Sequence, residues 1–507
     1  MRWSDLVRGL PGLTQSGDGD PNVTDIEYDS RKVKKGDLFV ALKGQKEDGH
    51  RHIARAIEAG AVAVLCESSG PLPVPVGIVP STLAALSPVA ARFFGYPSDQ
   101  MTVIGVTGTN GKTTITYMLE SILSSSVSCG VIGTLNYRWK DTVVTASNTT
   151  PLSLDLQRIL CRMKDEGVTH VVMEVSSHAL ALNRVEDVSF DIGIFTNLTR
   201  DHLDYHKTLD GYFEAKSRLF ELIASRKKKG IDRRCAVLNR DDERYVPLSR
   251  RVRVPIVSYG LNPLKQDRAD RFFWHSPGEV VGATEVHLSF QGTRLTAVLK
   301  DGPLPLSIRN VGLHNVYNAL AASAAAAELG IGTEQIRAGL EKLVGVPGRL
   351  ESVVAPPTTP FAVLVDYAHT DDALKNVLTT LRPLTEGRLI VVFGCGGDRD
   401  RTKRPLMGQT AVGLSDHVIV TSDNPRTEDP SKIVLDIEVG IKRAGGSHYE
   451  IIVDRRDAIR RALTMASKGD IVLLAGKGHE TYQIFSDRTI PFDDRQVARE
   501  VLQSIYS

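Results

Sequence analysis

Apolar residues fall along this chain in two rhythms: short continuous runs bounded by turn residues, and spacings of three and four over longer stretches. The runs 37–42 and 61–66 read as buried strands, with a helical pattern over 52–59 between them. A Pro/Gly-rich stretch, 70–80, and one more helix lead to Gly95-Tyr-Pro97, where a first boundary is expected. Residues 101–106 form another apolar run that enters a glycine-rich turn directly. After the turn, Ile115, Met118, Leu119, Ile122 and Leu123 share one helical face. Runs at 169–175 and 190–198 predict two further strands, and Leu156, Ile159, Leu160 and Met163 mark a helix that precedes them. The stretch 236–308 leans towards strand with little rhythm, and a helix is expected over 315–329. After Gly345-Val-Pro-Gly348 the alternation restarts, with runs at 361–369, 388–394, 417–425, 449–454 and 470–478. Strands alternating with helices predict an α/β protein of three units. These are a small N-terminal α/β unit (1–97), a central P-loop-type unit with a mostly parallel sheet (98–345) and a C-terminal, Rossmann-like doubly wound unit (346–507).

Composition narrows the partners. Lys+Arg (62) nearly balances Asp+Glu (60), so no global charge draws the chain to nucleic acid or an anionic membrane. Anionic ligands need a local site. The basic run 226–229 reads as a solvated loop. Five cysteines (66, 129, 161, 235 and 395) are scattered without a CxxC pair, which fits free thiols in a reducing compartment. The first residues lack a signal-peptide pattern, and no stretch reaches the roughly 20 apolar residues of a membrane helix. A cytoplasmic, monomeric protein is expected.

The sharpest chemical signal is Gly108-Thr109-Asn110-Gly111-Lys112-Thr113-Thr114, between a strand and a helix. Backbone N–H groups of such a loop surround phosphate oxygens, Lys112 adds a point charge, and the Thr113 hydroxyl suits Mg²⁺. A strict phosphate-loop spacing would place glycine at 106, and Val106 stands there. Glu174 closes one strand and His202 follows the next, so a parallel sheet projects both at the edge that carries the loop.

The GTNGKTT form resembles the Mur ligase and folylpolyglutamate synthetase superfamily. The stretches Asn148-Thr149-Thr150-Pro151, Glu174-Val-Ser-Ser-His178, 197–206, 314–322, Gly348-Arg-Leu-Glu351 and Asp366-Tyr-Ala-His-Thr370 resemble Mur ligases in family order. Gly394-Cys-Gly-Gly-Asp-Arg-Asp400, Asp423-Asn-Pro-Arg426 and Gly476-Lys-Gly-His-Glu480 continue the series, so the resemblance spans essentially the whole chain. Within the family these last stretches look like members that add the third peptide residue, and DNPR like the diaminopimelate-selective form.

The resemblance implies an ATP-dependent, amide-forming ligase that extends UDP-N-acetylmuramoyl-L-alanyl-D-glutamate with meso-diaminopimelate through an acyl phosphate. A sister ligase using L-lysine or another acceptor is the alternative, and a regulatory P-loop ATPase is the rival from another class. By resemblance, the N-terminal unit binds the UDP-linked substrate, the central one ATP and the C-terminal one the amino acid. Lys112, Lys216, Glu174 and His202 are implied in catalysis. Thr113, Glu174, His202 and Lys216, the last as a carbamate, are implied around Mg²⁺. Asn315, Arg349 and Asp366 join the loop in holding ATP. Ser30, Asn148, Thr149, Thr150, Ser176 and Arg184 are implied for the UDP-muramoyl dipeptide, with Leu182 where some relatives carry glutamine. The loop 44–49 departs from the family form, so its side chains are not assigned. Arg399, Asp423, Asn424, Pro425, Arg426, Gly476 and Glu480 are implied for diaminopimelate, whose distal carboxylate suits the Arg426 fork. The third unit is expected to close on the ATP site during turnover.

Overall fold

The computed structural model describes residues 1–44, 47–225, 228, 233–261, 280–289 and 292–506. Gln45 and Lys46 of the 44–49 loop, and Arg226, Lys227 and Lys229 of the basic run, lie outside them. Lys228 departs from the solvated-loop expectation. Its ammonium pairs with Asp191 and donates to the Met101 carbonyl at 2.6 Å, because a partly buried carboxylate at the end of the sheet is stabilised by a cationic partner.

The N-terminal unit is built on strands Thr14–Ser16 (β1), Ile26–Glu27 (β2), Leu38–Val40 (β3), Ala63–Cys66 (β4) and Val76–Ile78 (β5), in the order β1-β5-β4-β3-β2. β3 and β4 are apolar and buried at every position, since helices cover both faces of the sheet.

The central sheet has eleven strands. Its parallel heart comprises Thr102–Thr107 (β6), Cys129–Ile132 (β7), His170–Glu174 (β10), Ile192–Phe195 (β11), Cys235–Asn239 (β12) and Ile256–Gly260 (β13). Antiparallel flanks were not visible in the rhythm. Asn136–Trp139 (β8) and Thr142–Thr145 (β9) extend one edge, and Val280–Ser289 (β14), Gly292–Leu299 (β15) and Gly302–Ile308 (β16) the other. On one face the helix Lys112–Leu123 packs against Leu313–Glu328, whose alanines are almost all buried. Small side chains there let two helices approach closely, while Leu119 and Ile122 fill the gap, each stabilising the core by about 1.5–3 kcal/mol.

The C-terminal sheet contains Glu351–Ser352 (β17), Ala362–Asp366 (β18), Leu389–Phe393 (β19), His417–Val420 (β20), Tyr449–Ile451 (β21) and Ile471–Ala475 (β22), ordered β17-β18-β22-β19-β20-β21. All its pairings are parallel except the short β17 edge. Separate hydrophobic clusters lie on its two faces, as a doubly wound sheet requires. Among the described residues no helix is long and apolar enough to cross a membrane.

Candidate active site

β6 ends at Thr107, and the chain turns through Gly108 and Gly111, both with positive φ (144° and 89°), before the helix begins at Lys112. The loop is braced from β11: the Thr196 hydroxyl donates to the Asn110 carbonyl at 2.6 Å, and Asn197 Oδ1 accepts the Asn110 N–H at 2.9 Å. Lys112 Nζ folds back onto the carbonyls of Gly108 (3.0 Å) and Thr109 (2.9 Å). A phosphate would offer that ammonium stronger, charged acceptors.

Beside the loop, Glu174 ends β10 almost completely buried. Its Oε1 accepts from the Thr113 hydroxyl at 3.0 Å and the Thr134 N–H at 2.9 Å, and its Oε2 from the Thr134 hydroxyl at 3.0 Å. Thr113 and Glu174 thus set two hard oxygen donors side by side, the kind Mg²⁺ takes. His202 adopts a left-handed backbone (φ 55°) and packs edge-on against His178, with centroids 4.9 Å apart. Desolvation pulls the His202 imidazole down to about 4 against the opposing charge of Asp201, whose Oδ2 is 3.4 Å from Nε2, and so favours its neutral form. Among the described residues no three His, Cys, Asp or Glu side chains converge with metal-binding geometry. A donor set for a cation here would depend on a hydroxyl and on Lys216.

Lys216 is 1% exposed, its Nζ 2.7 Å from the Gly108 carbonyl and 4.4 Å from the Tyr212 ring centre. Burial first, and then the Lys112 charge, push its ammonium well below the ordinary lysine value. A neutral amine is the form that reacts with CO₂, so the environment fits the carbamate expectation.

The third unit reaches this centre. Arg349 Nη2 lies 3.3 Å from the Thr113 hydroxyl, while its buried Nε has no protein partner, leaving a donor for an anionic oxygen. Asp366 closes β18 and accepts the Leu350 N–H at 2.7 Å; burial pushes its carboxyl up to about 6. Asn315 is buried, donating to the Val311 carbonyl (2.8 Å) and accepting from Asn318 (3.0 Å). On the opposite side, the Thr149 and Thr134 hydroxyls are 3.1 Å apart. The Thr150 hydroxyl is tied to the Glu174 carbonyl (2.8 Å), the Thr150 carbonyl accepts from Arg184 (3.1 Å), and Ser176 caps the following helix. Asn148 is exposed. Ser30 lies buried in the N-terminal unit, two residues after Tyr28, whose hydroxyl donates to Asp155 of the central unit at 2.6 Å.

The amino-acid candidates gather at the carboxyl ends of β19, β20 and β22. Arg426 holds a left-handed backbone (φ 54°), and its Nη1 donates to the Gly397 carbonyl at 2.9 Å. A Cβ at Gly396 would sit 2.9 Å from Arg426 Nη1 and 3.7 Å from Arg399 Cγ, so the two arginines flank one glycine. Pro425 is buried beside them. Asp423 presses on Gly476, where a Cβ would meet its Oδ2 at 2.7 Å, and Asn424 donates to Glu480 at 2.7 Å.

Family models match the three units in turn. Residues 22–92 match the Mur ligase family catalytic domain, 106–326 the Mur ligase middle domain and 348–478 the Mur ligase glutamate ligase domain. A protein of Geobacter metallireducens is 45% identical over 100% of this chain and 99% of its own length. The chain belongs to the Mur ligase family. That relative, and one of Bacillus velezensis at 45% over 94% of each chain, are named UDP-N-acetylmuramoyl-L-alanyl-D-glutamate–2,6-diaminopimelate ligase. A solved structure described by the same name is 34% identical, covers 96% of both chains and superposes with a TM-score of 0.64. A MurF structure from Acinetobacter baumannii has 21% identity and a TM-score of 0.68 over 99% of each chain, and shares the fold.

Within this Mur ligase site, sequence reasoning missed three residues. Thr134 follows β7, and its closeness to Glu174 arises only because β7 pairs with β10. Asp372 comes from the third unit to accept from Asn110 at 3.2 Å, a contact between residues far apart in sequence. Lys477 stands inside the GKGHE stretch already singled out, yet only its neighbours Gly476 and Glu480 drew notice. Its signal was a lysine two residues past the end of a fully buried strand.

Proposed function

We propose that this chain is the ATP-dependent ligase that joins meso-diaminopimelate to the D-glutamyl side-chain carboxylate of UDP-N-acetylmuramoyl-L-alanyl-D-glutamate. The observation that carries this reading is full-length 45% identity with relatives of that name, and the paired arginines around Gly396 support the acceptor. Units 1–97, 98–345 and 346–507 then bind the UDP-linked substrate, ATP and the amino acid. A cytoplasmic setting fits five free cysteines and precursor synthesis that consumes ATP.

In the reaction the γ-phosphoryl group of ATP passes to the carboxylate and ADP leaves. The diaminopimelate amine then attacks the acyl carbon and phosphate departs. Both partners of the first step are anions, so positioning and charge neutralisation dominate. Lys112 and Arg349 face the phosphates from two different units, with the loop N–H groups between them. Ser30, Asn148, Thr149, Thr150, Ser176 and Arg184 hold the muramoyl dipeptide. Asn315 and Asp366 hold the nucleoside of ATP. Thr113, Glu174, His202 and carbamylated Lys216 would hold Mg²⁺, which supplies neutralising charge when bound. Arg399, Asp423, Asn424, Pro425, Arg426, Gly476 and Glu480 receive the amino acid.

The test is phosphate release from purified protein with ATP, Mg²⁺ and the UDP-muramoyl dipeptide. Turnover with meso-diaminopimelate and not L-lysine is expected. Turnover with lysine alone would move the chain to a sister specificity, and release without any amino acid would make it a plain ATPase.

A further inference from the structure

Lys477 is completely buried, at 0% exposure, although it belongs to a polar loop between β22 and the hairpin Tyr482–Ile484/Thr489–Pro491. Its ammonium donates to Glu480 Oε2 at 3.0 Å and to Asn424 Oδ1 at 3.4 Å, and lies 5.8 Å from the Tyr482 ring centre. Asn424 completes a closed triangle, donating through Nδ2 to the same Glu480 oxygen at 2.7 Å while its Oδ1 accepts the Ile484 N–H at 3.0 Å. Both bonds to Glu480 therefore fall on Oε2, and Oε1 is left outside the triangle. Burial pushes the Glu480 carboxyl up, and Lys477 is the largest influence opposing it.

We infer that Lys477 is a positioning residue for the acceptor amino acid, locking Asn424 and Glu480 into one arrangement and cancelling the Glu480 charge so that the pocket favours a zwitterionic distal end. The inference rests on the proposed diaminopimelate site. A lone buried carboxylate would attract any ammonium, including the side chain of lysine. A carboxylate balanced by Lys477 offers one oriented oxygen instead, and discrimination passes to the carboxylate that Arg426 can pair with. Removing the ammonium should leave Glu480 both disordered and uncompensated.

The experiment measures KM separately for meso-diaminopimelate and ATP in the full-length enzyme, for wild type, Lys477→Met, Glu480→Gln and the double variant, with L-lysine as competing acceptor. Lys477→Met is expected to raise KM for diaminopimelate at least ten-fold with KM for ATP within two-fold. It should also lower the preference for diaminopimelate over lysine, and have little further effect in the Glu480→Gln background. An unchanged KM for diaminopimelate, an equal rise for ATP, or the same effect with and without Glu480 overturns the inference. Should Lys477→Met not melt cooperatively, Lys477→Gln, neutral yet polar, is measured in the same way, and failure of both to fold makes Lys477 purely structural. Wild type that uses another amino acid refutes the diaminopimelate reading alone, and the Lys477 comparison is then made on that amino acid's KM.

Discussion

The Thr113 hydroxyl and the Thr134 backbone N–H both donate to Glu174 Oε1, at 3.0 and 2.9 Å, so one carboxylate joins the phosphate loop to the end of β7. Neither partner alone fixes the carboxylate; the pair does. Glu174→Gln keeps the shape and loses the charge, and kcat should fall on the order of 10²-fold or more. Thr134→Val keeps the backbone donor and the Glu174 charge and removes only the hydroxyl's bonds to Oε2 and to Thr149, so its loss should be smaller. Steady-state kinetics with saturating substrates and a melting curve for each variant check this ranking, and equal losses would contradict it.

Lys216 gives a second prediction. If the buried amine serves as a carbamate, arginine cannot replace it, because a guanidinium stays charged and does not take up CO₂. Both Lys216→Ala and Lys216→Arg should abolish turnover while retaining a cooperative melt. Activity in the alanine variant close to wild type would remove Lys216 from the mechanism.

Arg426 is where acceptor choice is tested most directly. Arg426→Met should lower kcat/KM for meso-diaminopimelate on the order of 10²-fold without a matching change in whatever residual rate L-lysine supports, since lysine has no distal carboxylate to pair. A parallel loss for both acceptors would show that Arg426 shapes the pocket instead of reading the substrate.

Much of this was legible in the chain because it is locally encoded. β6, the glycine turn and the following helix sit within about twenty residues, and the apolar runs of the third unit became β18, β19, β20, β21 and β22. Contacts set by strand order were not legible. Thr134 meets Glu174 only through the pairing of β7 with β10, and Asp372 meets Asn110 only once two units have docked. The antiparallel flanks were hidden for a different reason. β9 is largely exposed, and β16 alternates exposed with buried positions, so neither forms a continuous apolar run. Lys477 was overlooked because lysine next to glycines reads as a surface loop; the neutralising partners that permit its burial become visible only in three dimensions.

The last prediction concerns acid stability. Arg404, 1% exposed, donates to Glu428 Oε1 at 2.9 Å and to Asp436 at 2.9 Å, anchoring the helix Lys403–Leu414 beneath the GCGGDRD turn. The hydrogen bond from Arg404 holds the Glu428 carboxyl at about 2, below its ordinary value. A carboxyl depressed in the folded state stabilises the fold at pH values above its ordinary pKa. That contribution fades as pH falls from about 4.5 towards 2, because the unfolded chain takes up the proton first. Glu428→Gln should therefore cost about 2 kcal/mol near neutral pH and progressively less in acid. Urea unfolding of both proteins at pH 6 and pH 3 checks the sign: the gap should narrow at pH 3. A gap of constant size would mean that the substitution acts through packing around Arg404 and not through the charge of Glu428.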